Sequence, residues 1–132
     1  MYSWHAWIVL SESTTESDEG SLSHKLELLR AEVRERRLYT VPEDPVCAVN
    51  YDHLFQCSGS HNHRGDAHER LISIVQWIAE RLPGSHGLIY WRDDEILGNS
   101  VYNGYNVIVV ARGRLHHRYD PFLSPTVPNI ED

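Results

Sequence analysis

Tyr2-Ser3-Trp4-His5-Ala6-Trp7-Ile8-Val9-Leu10 is a run of aromatic, β-branched and small residues without a glycine or proline. In an extended chain successive side chains alternate between two faces, which puts Trp4, Ala6, Ile8 and Leu10 on one side and His5, Trp7 and Val9 on the other. Large apolar groups on both sides predict a central strand, and the fold is then a sheet built around it. Ser11 to Gly20 comes next, polar and acidic (Glu12, Glu16, Asp18, Glu19), with no basic residue before Lys25. It reads as an exposed loop feeding a helix N-terminus, where carboxylates suit the helix dipole.

Leu22, Leu26, Leu29 and Val33 step by four, three and four residues, the stripe of an amphipathic helix running to about Arg37. Glu27, Arg30, Glu32, Arg34, Glu35 and Arg36 form its solvated face. Pro42 and Pro45 close that region, and Val46 to Gly59 reads as a hairpin with Cys47, Val49, Phe55 and Cys57 inward. Opposing residues share a face, so Cys47 faces Cys57 when Val49 faces Phe55, leaving Tyr51-Asp52-His53 as a three-residue turn. Asp66-Ala-His-Glu69 has capping-box form and opens a second helix with Leu71, Val75, Ile78 and Leu82 as its buried stripe, widened by Ile72, Ile74 and Ala79. Pro83-Gly84 stops it.

Leu88 to Arg92 and Tyr105 to Arg112 are two further strands, joined by the acidic connection Asp93 to Gly104. The order strand, helix, hairpin, helix, hairpin predicts an α+β fold. An antiparallel sheet of about five strands carries two helices on one face, the split βαβ or ferredoxin-like arrangement with one extra strand. Residues 119–132 close the chain as an extended tail. Pro121, Pro125 and Pro128 exclude helix and central strand there, and Phe122, Leu123, Val127 and Ile130 predict a strap whose side chains fill hollows on the body.

A length of 132 residues predicts a single domain spanning 1–132 with one core. Nineteen carboxylates against eleven arginines and one lysine give a formal charge of −7. That balance argues against a direct nucleic-acid contact and makes a basic partner the natural complement. The first residues lack the basic start and apolar run of a secretion signal, and no stretch approaches the ~20 apolar residues of a membrane span, so a cytoplasmic protein with no membrane contact is expected. Cys47 and Cys57 match no zinc spacing and read as reduced thiols packed as small hydrophobes.

Ser60-His-Asn-His-Arg-Gly-Asp-Ala-His68 gathers the residue types that zinc accepts, with His61, His63, Asp66 and His68 as the candidate ligands of a small metal enzyme. The bland reading of these side chains is capping and loop packing, because they lie on a loop entering a helix. Cys57 with His61 makes a poor nucleophile–base pair, since Cys57 falls on the core parity and no third residue orients the base. His116-His-Arg118 reads as a surface turn. Glycine-rich phosphate loops and serine-hydrolase elbows are absent, and neither catalysis nor a cofactor is expected.

The order of several segments resembles the immunity protein 7 family, small proteins encoded beside bacterial polymorphic toxins. The resemblance is carried by Tyr2, His5 and Trp7 in an aromatic first strand, an acidic loop after it, Asn62-His63-Arg64-Gly65 before the second helix, and Ala79-Glu80 leading to Pro83-Gly84-Ser85. Gly87-Leu-Ile-Tyr90, Arg92-Asp-Asp-Glu95, Ala111-Arg-Gly-Arg-Leu115 and the tail from Asp120 complete it. The resemblance implies an immunity protein that binds one cognate toxin domain and blocks it without catalysis of its own.

Physical reasoning then supplies candidate contacts, since a nucleic-acid-cleaving toxin is basic. They are the carboxylates Glu12, Glu16, Asp18 and Glu19 of the first loop, and Asp93, Asp94 and Glu95 of the second, with Tyr102 and Tyr105 as aromatic anchors. The two loops are expected at opposite ends of antiparallel neighbours, which favours the second as the single contact surface. A monomer or weak homodimer is expected. The other readings are the small metal enzyme above and a ligand-binding regulatory module, the latter by fold analogy alone.

Overall fold

The computed structural model describes residues 1–13, 21–95 and 104–123. The elements run β1 (Tyr2–Leu10), α1 (Leu22–Glu35), β2 (Val46–Val49), β3 (Asp52–His61), α2 (Ala67–Arg81), β4 (His86–Asp93), β5 (Asn106–Ala111) and β6 (Arg114–Tyr119). They form an α+β fold with one antiparallel sheet in the order β2-β3-β1-β4-β5-β6. β1 is central as its composition predicts, pairing with β3 on one side and β4 on the other. The hairpin β2-β3 lies to one side of it and the meander β4-β5-β6 to the other.

One core holds the molecule together. Tyr2, Trp4, Ala6, Ile8 and Leu10 are all buried, and their cluster takes in Leu26, Leu29 and Val33 of α1 with Leu71, Ile74, Val75 and Ile78 of α2. Both predicted helical stripes therefore meet the same face of the sheet. The other face of β1 departs from expectation, because Trp7, paired with Leu88 of β4, is 48% exposed. Apolar residues on both sides gave the strand its central place, yet both helices are spent on one side.

The sheet has six strands where about five were expected. Arg114–Tyr119, expected as a turn around His116-His-Arg118, pairs with β5 from Ala111↔Arg114 to Asn106↔Tyr119. Its exposed side chains give no inward–outward alternation to read, and a charged, polar strand at a sheet edge discourages pairing with other chains. The turn that creates it places Arg112 and Gly113 at φ 52° and 73°. The first hairpin is also tighter than expected. Val49 pairs with Asp52 around Asn50-Tyr51, and Asn50, at φ 56°, adopts the left-handed conformation that a two-residue turn demands. One residue fewer in the turn reverses the parity, so Val46 and not Cys47 joins Phe55 in the core. Cys57 stays buried, and that burial raises its thiol pKa far above the ordinary range, leaving an inert side chain.

The tail begins later than expected, because Tyr119 ends β6. Buried Asp120 anchors its first residues, the Asp120 backbone N–H donating to the Tyr105 carbonyl at 3.1 Å and Oδ2 accepting the Leu123 N–H at 2.7 Å. Phe122 and Leu123, expected to fill hollows, stand 85% and 47% exposed, while Val127 and Ile130 lie outside the described residues.

Gly59 shows how closely the core is fitted. It pairs with Trp4, and a Cβ there would meet the indole Nε1 at 2.3 Å. Trp4 is fully buried and cannot swing aside. Gly59→Ala is expected to cost about 1–3 kcal/mol through overpacking, and less in a Trp4→Leu background. Urea unfolding of the two singles and the double checks this, and additive effects would exclude a clash between these two residues.

Candidate functional site

Antiparallel pairing brings the start of β1 and the end of β4 together, with Tyr2 opposite Asp93. Three of the predicted carboxylates sit at this end in three different states. Asp93 is buried and serves the turn, its Oδ1 accepting the Glu95 N–H at 3.0 Å. Asp94 accepts from the Met1 ammonium, and this bond lowers its pKa and raises that of the terminus. Glu95 lies 2.8 Å from Nδ1 of His63, both side chains more than half exposed. Asp94 and Glu95 thus face water while Asp93 holds the backbone that presents them. Tyr105 is at the same end, with Tyr90 6.2 Å away between ring centroids and the Arg92 guanidinium 5.9 Å from its ring. Tyr102 lies outside the described residues.

The first acidic loop leaves β1 at the far end, about 27 Å away along the strand. The described starts of the two loops, residues 11–13 and 94–95, therefore lie at opposite ends of the sheet. Glu12 is not a surface carboxylate but is 6% exposed, accepting from the Ser21 hydroxyl at 2.9 Å and lying 3.6 Å from Lys25 Nζ. It ties the loop to the start of α1. Glu16, Asp18 and Glu19 lie outside the described residues.

The four candidate metal ligands are drawn to different tasks. His61 ends β3, His63 pairs with Glu95, and Asp66 accepts from Arg70 Nη2 at 2.9 Å, one helical turn on. The expected capping bond of Asp66 to the helix backbone is not formed, because the arginine takes that carboxylate instead. His68 is buried, with Nδ1 2.8 Å from the Tyr2 hydroxyl and its ring 4.5 Å from that of Trp91. Among the described residues no three His, Cys, Asp or Glu side chains are gathered as a metal site would need.

Burial decides the proton in the Tyr2–His68 pair. It pushes the phenol pKa up and, helped by the positive charge of Arg64, pulls the imidazole down from 6.5 to about 4. At neutral pH the bond therefore joins two uncharged groups, a phenol and a neutral imidazole. Sequence reasoning missed this pair although a signal existed: His68 stands three residues before Leu71 and seven before Val75, on the helix's apolar stripe. Also missed was a set of arginines. Arg37, Arg64 and Arg70 line one cavity with His61 and Asp66, drawn from three separate segments.

The arrangement offers exposed charge and aromatic surface around a rigid sheet end, suited to contact with another macromolecule. Among the described residues no helix is long and apolar enough to cross a membrane. Comparison with curated proteins and with solved structures gave no match. The family model described as Immunity protein 7 matches residues 1–132, the whole length of the chain. The protein belongs to the Immunity protein 7 family.

Proposed function

We propose that the protein acts in the cytosol as a monomer or weak homodimer, binding one cognate toxin domain and occluding it without catalysis. The toxin is a basic, nuclease-type domain, and the contact is made at the end of the sheet that carries Asp94, Glu95 and Tyr105. The whole-chain match to an immunity family carries this reading, because such a protein implies a toxin to which it binds. A net charge of −7 supports a basic partner, and long-range attraction would speed the encounter. Asp94 and Glu95 are held by the N-terminal ammonium and His63, partners that an incoming arginine or lysine can displace at little cost because all four groups are solvated.

Co-expression with the toxin encoded beside it tests the function: the cells should survive only when the immunity protein is present. Absence of protection would overturn the proposal. The surface is tested separately by Asp94→Lys with Glu95→Lys, which should slow association at low salt about tenfold or more and leave the fold intact. An unchanged association rate would move the contact elsewhere on the molecule.

A further inference from the structure

The arginines that the acidic end does not use form a second feature. Where α1 ends and α2 begins, a cavity of about 220 Å³ is lined by Arg37, Arg64, Arg70, His61, Tyr39 and Asp66 among others. Three arginines and one aspartate are among the residues that line it, on a chain whose overall charge is strongly negative. Two of these cations have a carboxylate partner, Asp66 for Arg70 and Glu69 for Arg64, and both partners are mostly exposed. Arg70 Nη1 donates to the backbone carbonyl of Arg37 at 3.3 Å and Nη2 to Asp66, which fixes its fork at the cavity wall. Arg64 lies over Trp91, 5.7 Å from the ring centroid, and pairs with the mostly exposed Glu69 at 3.6 Å. The Arg37 guanidinium has no hydrogen-bond or ion-pair partner among the described residues. Its backbone turns through φ 55° where α1 stops, the Leu38 N–H bonding back to the Val33 carbonyl at 3.1 Å.

Gathering like charges costs free energy unless an anion joins them, and planar guanidiniums suit oxyanions through paired N–H donors. Among the described residues Arg37 carries the unpaired charge, and the solvated Asp66 and Glu69 can yield the donors of Arg70 and Arg64 to a phosphate at little cost. At roughly 30 Å³ for each water the cavity holds about seven waters, room for a phosphate group and the first atoms of the body it is attached to. A neighbouring cavity of about 450 Å³ shares Arg37, Leu38 and Tyr39 with it, and Tyr39 is 70% exposed. We propose that the two cavities together bind a phosphomonoester, its phosphate held among Arg37, Arg64 and Arg70 and its body lying along Tyr39. The proposal does not rest on the toxin contact, although the cavity is at the same end of the sheet, where His63, the neighbour of Arg64, bonds Glu95.

Calorimetric titration of the full-length protein with adenosine monophosphate, ribose 5-phosphate, inorganic phosphate and adenosine tests it without any toxin. The two esters should bind saturably and adenosine should not. Arg37→Gln and Arg64→Gln should each weaken binding about tenfold or more, since a charge-assisted hydrogen bond contributes ~1.5–3 kcal/mol. Arg36→Gln, which disrupts only a pair with Glu32 away from the cavity, should leave binding unchanged. Inorganic phosphate binding as tightly as the esters would support the anion site and overturn the role given to Tyr39. No saturable binding at millimolar concentration, or equal affinity in folded Arg37→Gln and Arg64→Gln proteins, would overturn the proposal.

Discussion

Trp4→Ala should remove about 3–5 kcal/mol of folding stability, a large share of the ~5–15 kcal/mol that holds a domain of this kind together. The indole is wholly buried, and Trp4 sits in the central strand between Gly59 on one side and Trp91 on the other. Both neighbours belong to strands fixed by continuous pairing, so the sheet cannot collapse into the space an alanine would leave. The loss should therefore include most of the cavity cost in addition to the transfer cost. Trp7→Ala is the matched control. It removes the same side chain from the same strand on the face open to water, and should cost at most about 1 kcal/mol, as surface substitutions do. Urea midpoints for both variants at neutral pH decide the matter. Similar losses for the two would show that the open face is covered in solution.

Acidification from pH 6.5 to 4 should weaken the fold by about 3 kcal/mol through His68 alone. The imidazole is buried and neutral, with a pKa near 4 in place of 6.5, so across this window the unfolded chain binds a proton that the folded protein refuses. Stability rises with pH wherever the unfolded state binds more protons, which makes the effect a loss on acidification, complete near pH 4 and absent above 6.5. The lowered carboxylates Asp44 and Asp94 act below this window, because their shifts run downward from 3.8. His68→Gln keeps a hydrogen-bonding partner for the Tyr2 hydroxyl and removes the titrating group. Its unfolding free energy should therefore vary much less between pH 6.5 and 4 than that of the parent, even if it is less stable at pH 7. Parallel pH profiles for the two proteins would show that His68 is not the group responsible.

Much of the fold could be read from periodicity. Leu26, Leu29 and Val33, like Leu71, Val75 and Ile78, are buried as their spacing predicts, and the central place of Tyr2–Leu10 agrees with its composition. The failures have local causes. An exposed edge strand such as Arg114–Tyr119 carries no alternation to detect, and a single asparagine at positive φ shortened the first hairpin and moved Cys47 out of register with Cys57. The acidic residues were legible as a class but not as individuals. Glu12 and Asp93 are buried braces, whereas Asp94 and Glu95 face the solvent, and nothing in the four carboxylates themselves distinguishes them.

The sequence alone determined the element order, the two helical stripes, the central strand and the family, since each depends on residues close together in the chain or on their order along it. Only the tertiary structure decided which face of the sheet the helices cover, which carboxylates reach water, and that Arg37, Arg64 and Arg70 surround one cavity. These depend on how distant segments meet, and a side chain's exposure and charge environment are set by neighbours that sequence separation does not encode.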